Sequence, residues 1–419
     1  VSASPASIAP QTSRTDGLQL RGTEALVAVV CLVPLLIVPF AFRPYTANAL
    51  ALFLIYGLLA MSLSFIWGYA GIVSFGQNAF FDVGAYAYGI IALNGVGAGG
   101  WTGIAILGGV AAATLLAALL SYLMFYGRIS DVYASIIVLV LSLVLYSFAV
   151  STAGDERVIG VARLGGFNGL FGQGSTSANI SNFAIPPITL RLPWASEPIA
   201  FRIDRTSVSG YYLVLGTCVA VYAVADLLLR TRLGRVALAI RENEARAASF
   251  GYDVRIYKVV MFTVAGAIAG LAGVLFASWG RFVNPDVFGL TFASSVVVHV
   301  LLGGRVPLLG AFVGALALNY LTSYLGGISL APPAALDVTG LAGMLTEIGR
   351  RSIQQAPLLV QGAALVAAVL LLRDGLTPPL LRQLARRPTL GWLVLLPAVL
   401  AYFGASLACR QAGLCLPWP

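Results

Sequence analysis

The chain has 419 residues, of which 59% are hydrophobic and 10% charged, whereas a soluble globular protein carries about 25% charged residues. Such a composition excludes a water-soluble fold and leaves no stretch large enough for a separate soluble core. The net charge of +9 does not point to nucleic acid, because the basic residues fall in short segments between apolar runs, as the positive-inside rule of membrane proteins has it.

Residues 1–24 are rich in Ser, Ala, Pro and Thr without an apolar core and read as a disordered cytoplasmic tail. The first apolar run reads as a retained span rather than a cleaved signal, since no clear small-residue cleavage pattern follows it. Apolar segments then fall at 25–42, 47–67, 79–94, 102–126, 132–150, 211–229, 258–279, 288–302, 307–325, 357–372 and 390–408. Several reach the roughly 20 residues that a helix needs to cross the hydrocarbon core. The expected fold is an all-α, polytopic transmembrane helical bundle of about 9–11 hydrophobic segments. Two of them, 79–94 and 288–302, are short and flanked by glycine, and are candidates for broken or re-entrant helices.

Orientation follows from the stretch 231–258 and its flanks, which carry Arg230, Arg232, Arg235, Arg241, Arg246, Arg255 and Lys258 against Glu242, Glu244 and Asp253. This loop is expected in the cytoplasm. Counting spans outward puts Arg14, Arg21, Arg128, Arg305, Arg373, Arg382, Arg386 and Arg387 on the same side. The stretch 151–210 is then external, and its length marks it as either functional or disordered. Residues 373–419 read as a basic loop, an extra transmembrane helix and a short external tail. Cys31 and Cys218 sit inside apolar runs as structural thiols, while Cys409 and Cys415 are close enough in sequence to pair in an oxidising compartment.

Uphill transport needs an energy source. A phosphate-binding loop requires a lysine after a glycine-rich turn, but Lys258, the one lysine of the sequence, follows Tyr257. ATP and its Mg²⁺ therefore belong on another polypeptide if ATP drives the protein. An ion-coupled carrier would need protonatable groups at membrane depth, and the candidates are Asp82 and His299. His299 reads as a hydrogen-bond partner for a neighbouring helix, and Asp226 as the local partner of Arg230 one turn on. Asp82 belongs either to the solute pathway and its packing or to an interface. No nucleophile, base and orienting group converge in any stretch, so neither covalent chemistry nor a metal site is expected.

Within 231–258, a helix over 236–250 would place Val236, Ile240, Ala247 and Phe250 on one face and Arg241, Glu242, Glu244 and Arg246 on the other. Gly251 would end it as a left-handed cap. Such a helix is either a handle for a soluble partner or an interfacial helix lying in the headgroups.

This loop and its continuation VVMFTVAGAIAGLAGVLFA (259–277) resemble the coupling segment of ABC permease subunits that import branched-chain amino acids. Three further stretches resemble the same family: WGYAGIVSFGQNAFFDVGAYAYG (67–89), RISDVYASIIVLVLSLVLYSF followed by GGFNGL (165–170), and NPDVFG with LLGGRVPLLGAFVGALALNY (up to 320). The resemblance implies a transmembrane permease domain over 25–372, with Ile240, Arg241, Glu242, Glu244, Ala247 and Gly251 docking an ATPase. It also implies a second permease chain, two ATPase subunits and an external solute-binding protein as partners, no nucleic acid, and the bacterial inner membrane as location.

Gly71, Ser74, Gly76, Gln77, Asn78, Asp82, Gly84 and Tyr86 are the solute-pathway candidates. There, glycines would allow close backbone approach or a helix break, while the polar side chains would add donors and acceptors. Gly165, Gly166, Gly303, Gly304 and Arg305 complete the set carried by the resemblance. Asp82 stands where the family usually has a small or apolar residue, and Gln77 where histidine is frequent. The expected cargo is a branched-chain or other neutral amino acid; the alternatives are urea or short-chain amides through a related permease, and an ion-coupled carrier.

Overall fold

The computed structural model describes residues 44–95, 102–152, 157–172, 188–190, 199–201, 208–280 and 282–327, with isolated positions between 32 and 36 and between 362 and 377. Nearly all of the expected spans at 25–42 and 357–372, the whole of 390–408, the tail 1–24, Cys31, Cys409 and Cys415 lie outside the described residues.

Ten helices are described: α1 (Pro44–Ala70), α2 (Asn78–Asn94), α3 (Thr102–Tyr126), α4 (Asp131–Ser151), α5 (Val208–Arg230), α6 (Arg232–Glu242), α7 (Glu244–Ser249), α8 (Val254–Gly280), α9 (Leu290–Gly303) and α10 (Leu308–Gly327). Five of them contain apolar stretches of 21 to 27 residues, long enough to cross a membrane: α1, α3, α4, α5 and α8. The protein is therefore an all-α, multi-pass membrane bundle. The helices α9 and α10 together satisfy the same test but bend by 116° at the break between them, the geometry of a broken span or re-entrant loop. The short segment expected at 79–94 is instead one continuous helix, α2. The irregular backbone precedes it, at 71–77, where Ile72, Ser74, Gly76 and Gln77 are buried in protein while Gly71 and Phe75 are exposed.

The bundle has an inner and an outer layer. Side chains of α1, α2 and α8 are mostly buried, including Leu58, Leu59, Phe80, Phe81, Phe262 and Ala269. The outer helices α3, α4 and α5 turn Leu107, Leu115, Val132, Val144, Phe148 and Leu227 outward, as helices solvated by lipid do.

Because lipid supplies no hydrophobic drive between helices, close packing has to hold them together. Here glycine provides it. A Cβ at Gly273 of α8 would fall on the carbonyl oxygen of Phe81, and one at Gly84 of α2 on that of Gly270. Gly266 and Gly270 likewise admit Ala117 and Ala113 of α3. At these positions α2 and α8 meet backbone to backbone, and α3 sets its alanine methyls on α8.

The stretch 151–210 contains more order than a plain loop. The strands β1 (Val158–Ile159), β2 (Ala162–Arg163) and β3 (Phe171–Gly172) form an antiparallel meander, and β4 (Ile188–Leu190) pairs with β5 (Ile199–Phe201). Asn94, the last residue of α2, seats the meander by donating to Ile159 O at 3.0 Å and accepting from Val161 N at 2.8 Å.

Candidate functional site: a polar stripe on α2 and the arginine-rich end

The helix α1 stops at Ala70 because Gly71 takes the left-handed φ of +79°. The chain then crosses 71–77 and re-enters a helix at Asn78. This connection is clamped from both sides. From α4, Ser135 Oγ donates to Val73 O at 2.5 Å, and Gly76 lies directly on the Val138 backbone. From α1, Ser62 Oγ accepts from Gln77 Nε2 at 3.1 Å.

On α2 the residues Asn78, Asp82 and Tyr86 are spaced by four and share one face. The Phe81–Gly84–Ala85 face meets α8 and α3, whereas the polar stripe looks toward α4, α1 and the 3₁₀ turn Pro285–Phe288. Asn78 Nδ2 donates to Ser142 Oγ at 2.9 Å and to Val287 O at 3.2 Å, and Ser142 Oγ donates onward to Phe288 O at 2.9 Å. The Tyr86 ring lies 5.4 Å from that of Phe288. Beside the stripe, Tyr56 of α1, Phe81, Phe276 and Phe292 form an aromatic cluster with centroids 5.4 to 6.2 Å apart.

Ser74, Gln77, Asn78 and Asp82 are all buried, Asp82 completely. Even so, Ser74 Oγ, Gln77 Oε1, Asn78 Oδ1, both carboxylate oxygens of Asp82 and the Tyr86 hydroxyl have no hydrogen-bond partner among the described residues. Of the pathway candidates, these five side chains carry unpaired polar atoms, while Gly71, Gly76 and Gly84 allow close approach of Arg241, α4 and α8 respectively.

The arginine-rich stretch gathers at one end of the bundle. Instead of a single helix over 236–250 there are two, α6 and α7. Asn243 separates them in an extended conformation and caps α7 by accepting from Arg246 N at 2.9 Å, an alternative to helix that asparagine offers readily. Val236, Ile240, Ala247 and Val254 form a small apolar cluster, but Phe250 is exposed. Gly251 is left-handed, with φ +85°, and follows the last turn of α7.

The polar face differs most from the expected arrangement. Arg241 does not simply point away: its guanidinium donates to Gly68 O, one of the last carbonyls of α1, and its Cγ lies near Gly71. A cation at a helix C-terminus is favourable because the last carbonyls lack intrahelical partners. Glu244 is likewise engaged, pairing at 2.8 Å with Lys258 Nζ, which also reaches Asp131 Oδ1 at 2.9 Å. Glu242 is exposed on the surface of α6. Asp226 and Arg230 pair at 2.5 Å.

Gly165 and Gly166 are both left-handed and shape the 3₁₀ turn Gly166–Asn168 at the opposite end. Gly303 sits on the Gly310 backbone at the α9–α10 bend. Gly304 caps α9. Arg305 stacks over Trp67 at 5.2 Å, and its carbonyl accepts from Ser64 Oγ at 2.8 Å. His299 Nε2 accepts from Asn319 Nδ2 at 3.0 Å, joining α9 to α10.

The family model for the branched-chain amino acid transport system permease component matches residues 45–369, which covers all ten helices but for Pro44, the first residue of α1. The chain belongs to this family. Among its relatives, the high-affinity branched-chain amino acid transport system permease protein LivM of Escherichia coli is 28% identical over 297 residues, 69% of this chain and 65% of that protein. LivM of Salmonella typhimurium is 26% identical over 272 residues, 64% and 60% of the two chains. The autoinducer 2 import system permease protein LsrC of Enterobacter sp. is 35% identical over 135 residues, 31% and 37%. The aligned part spans less than two thirds of the length of each of these relatives. No solved structure matches the chain.

In this permease the sequence reading passed over Lys258 as a partner. The signal was present: a lone lysine at the start of a transmembrane helix needs a counter-charge. Its side chain is 8% exposed, against 37% for Asp131 and 57% for Glu244. Lys258→Ala strands the two carboxylates side by side, and solvent at the exposed Glu244 limits the loss to about 1–2 kcal/mol. A thermal melt of the detergent-solubilised protein is expected to show a lowered midpoint, and an unchanged melt would show the triad to be energetically idle.

Proposed function

We propose that this chain is the membrane-spanning permease subunit of an ATP-driven importer of branched-chain or other neutral amino acids in the bacterial inner membrane, with its N-terminus in the cytoplasm. It works beside a second, related permease chain and two ATPase subunits that hold ATP and Mg²⁺, and receives solute from an external binding protein. The observation that carries this reading is the family match over residues 45–369, joined to a site whose two parts touch. The arginine-rich end bearing α6 and α7 contacts, through Arg241, the end of α1 that leads straight into the connection 71–77 with its buried Ser74 and Gln77. Docking of an ATPase on α6 and α7 would thereby act on the backbone next to the polar stripe. Glu242 and the face around Gly251 remain available to that partner, whereas Glu244 is partly committed to Lys258.

The test is reconstitution into proteoliposomes. Uptake of L-leucine is expected only with the ATPase subunits, ATP and the liganded binding protein all present. Uptake by this chain alone without ATP would overturn the reading, and uptake of urea or acetamide in place of L-leucine would reassign the cargo.

A further inference from the structure

Most of the unpaired atoms of the polar stripe are acceptors. Asn78 has spent both of its N–H groups and Gln77 one of its two: Gln77 Nε2 donates to Ser62 Oγ, whose own hydroxyl donates to Leu59 O, and Asn78 Nδ2 donates to Ser142 Oγ and Val287 O. What remains is Gln77 Oε1, Asn78 Oδ1 and the two oxygens of Asp82, all acceptors, with the hydroxyls of Ser74 and Tyr86 able to act either way. A buried acceptor without a donor costs free energy, and a buried carboxylate without a counter-charge costs more. Among the described residues no lysine, arginine or histidine pairs with Asp82. A compact group that carries several N–H donors and a positive charge would satisfy these oxygens.

We infer that the face of α2 formed by Asn78, Asp82 and Tyr86 is the subsite for the ammonium group of the transported solute, with the Asp82 carboxylate as its counter-charge. The inference rests on the proposed amino acid cargo and deepens it. A primary ammonium offers three N–H donors in a small volume, which suits acceptors placed one helical turn apart. The neighbouring aromatic cluster of Tyr56, Phe81, Phe276 and Phe292 is of a kind that accepts an apolar side chain. A metal cation would satisfy the same oxygens, so the experiment separates the two sources of positive charge.

The complete importer is reconstituted with wild-type chain or with Asp82→Asn, Asp82→Ala or Asp82→Glu, and ATP-driven uptake of L-leucine is measured in sodium and in potassium media. Asp82→Asn removes the charge at nearly constant shape. It is expected to assemble normally and to lose uptake by about tenfold or more, with Asp82→Glu retaining more uptake than Asp82→Asn. Unchanged uptake in Asp82→Asn overturns the inference while leaving the proposed cargo intact. Wild-type uptake of acetamide but not of L-leucine removes the cargo and the ammonium subsite together. Wild-type uptake that needs sodium, with the sodium dependence lost in Asp82→Asn, assigns the site to a metal ion and overturns the ammonium reading. Failure of all three variants to assemble shows a purely structural residue and overturns it too.

Discussion

Replacing Gly273 with leucine is expected to abolish accumulation of folded protein in the membrane. Gly273 lies where α8 meets the backbone of α2, and any Cβ there would overlap the Phe81 carbonyl oxygen. Overpacking against a movable side chain costs about 1–3 kcal/mol, and an obstructing backbone in a rigid helix leaves no rotamer to yield, so the cost lies at or above that upper end. One turn away in each helix, Gly84 and Gly270 make a second contact of the same kind, so the two helices cannot separate at one point without separating at both. The comparison is Gly216→Leu on α5, where nothing lies within 4 Å of the position that a Cβ would occupy; it is expected to be tolerated. Membrane-fraction yield and size-exclusion profiles distinguish them. Equal yields for the two variants would sink the packing argument.

The second large effect concerns Arg241. Arg241→Ala is expected to leave insertion and assembly intact but to lower ATP-driven uptake by about tenfold, the scale of losing one charge-assisted hydrogen bond to a carbonyl with no other partner. Hydrolysis of ATP should continue, so the ratio of solute moved to ATP hydrolysed falls. Arg246→Ala, a few residues away on α7, removes the same charge without touching α1 and is expected to transport normally. If both variants transport alike, the contact between Arg241 and Gly68 does not carry coupling.

The helices were legible because each is an apolar run with a readable end. The run at 102–126 is α3 to the residue, and 132–150 and 211–229 each lie within α4 and α5. The bend between α9 and α10 was foreshadowed by Gly303 and Gly304. The break at Asn243 was missed although asparagine is a preferred helix N-cap, because the apolar spacing of Val236, Ile240 and Ala247 runs across it without a change of phase. The contacts of Arg241 with Gly68, Lys258 with Asp131 and Gly273 with Phe81 join residues 173, 127 and 192 positions apart. Local pattern carries no information at that range; only the packed register of the helices creates it. Asp82 stood out as an acid in an apolar run, but that its oxygens are buried and unpaired is a property of the assembled bundle.

The seating of α2 sets what can move. Its first turn is fastened to α1 and α4 through Gln77, Asn78 and the connection before them, its flank lies on the glycines of α8, and its last residue, Asn94, is tied to the β-meander. A strut pinned at both ends and along its length resists tilting, so α2, α3 and α8 behave as one stationary block during any conformational cycle. Access to the stripe from either side must then come from displacement of the remaining wall, the turn Pro285–Phe288 and the α9 that follows it, relative to that block and to α4. Distances measured between spin labels on α9 and α8 would change through the cycle, while those between α2 and α8 would stay constant.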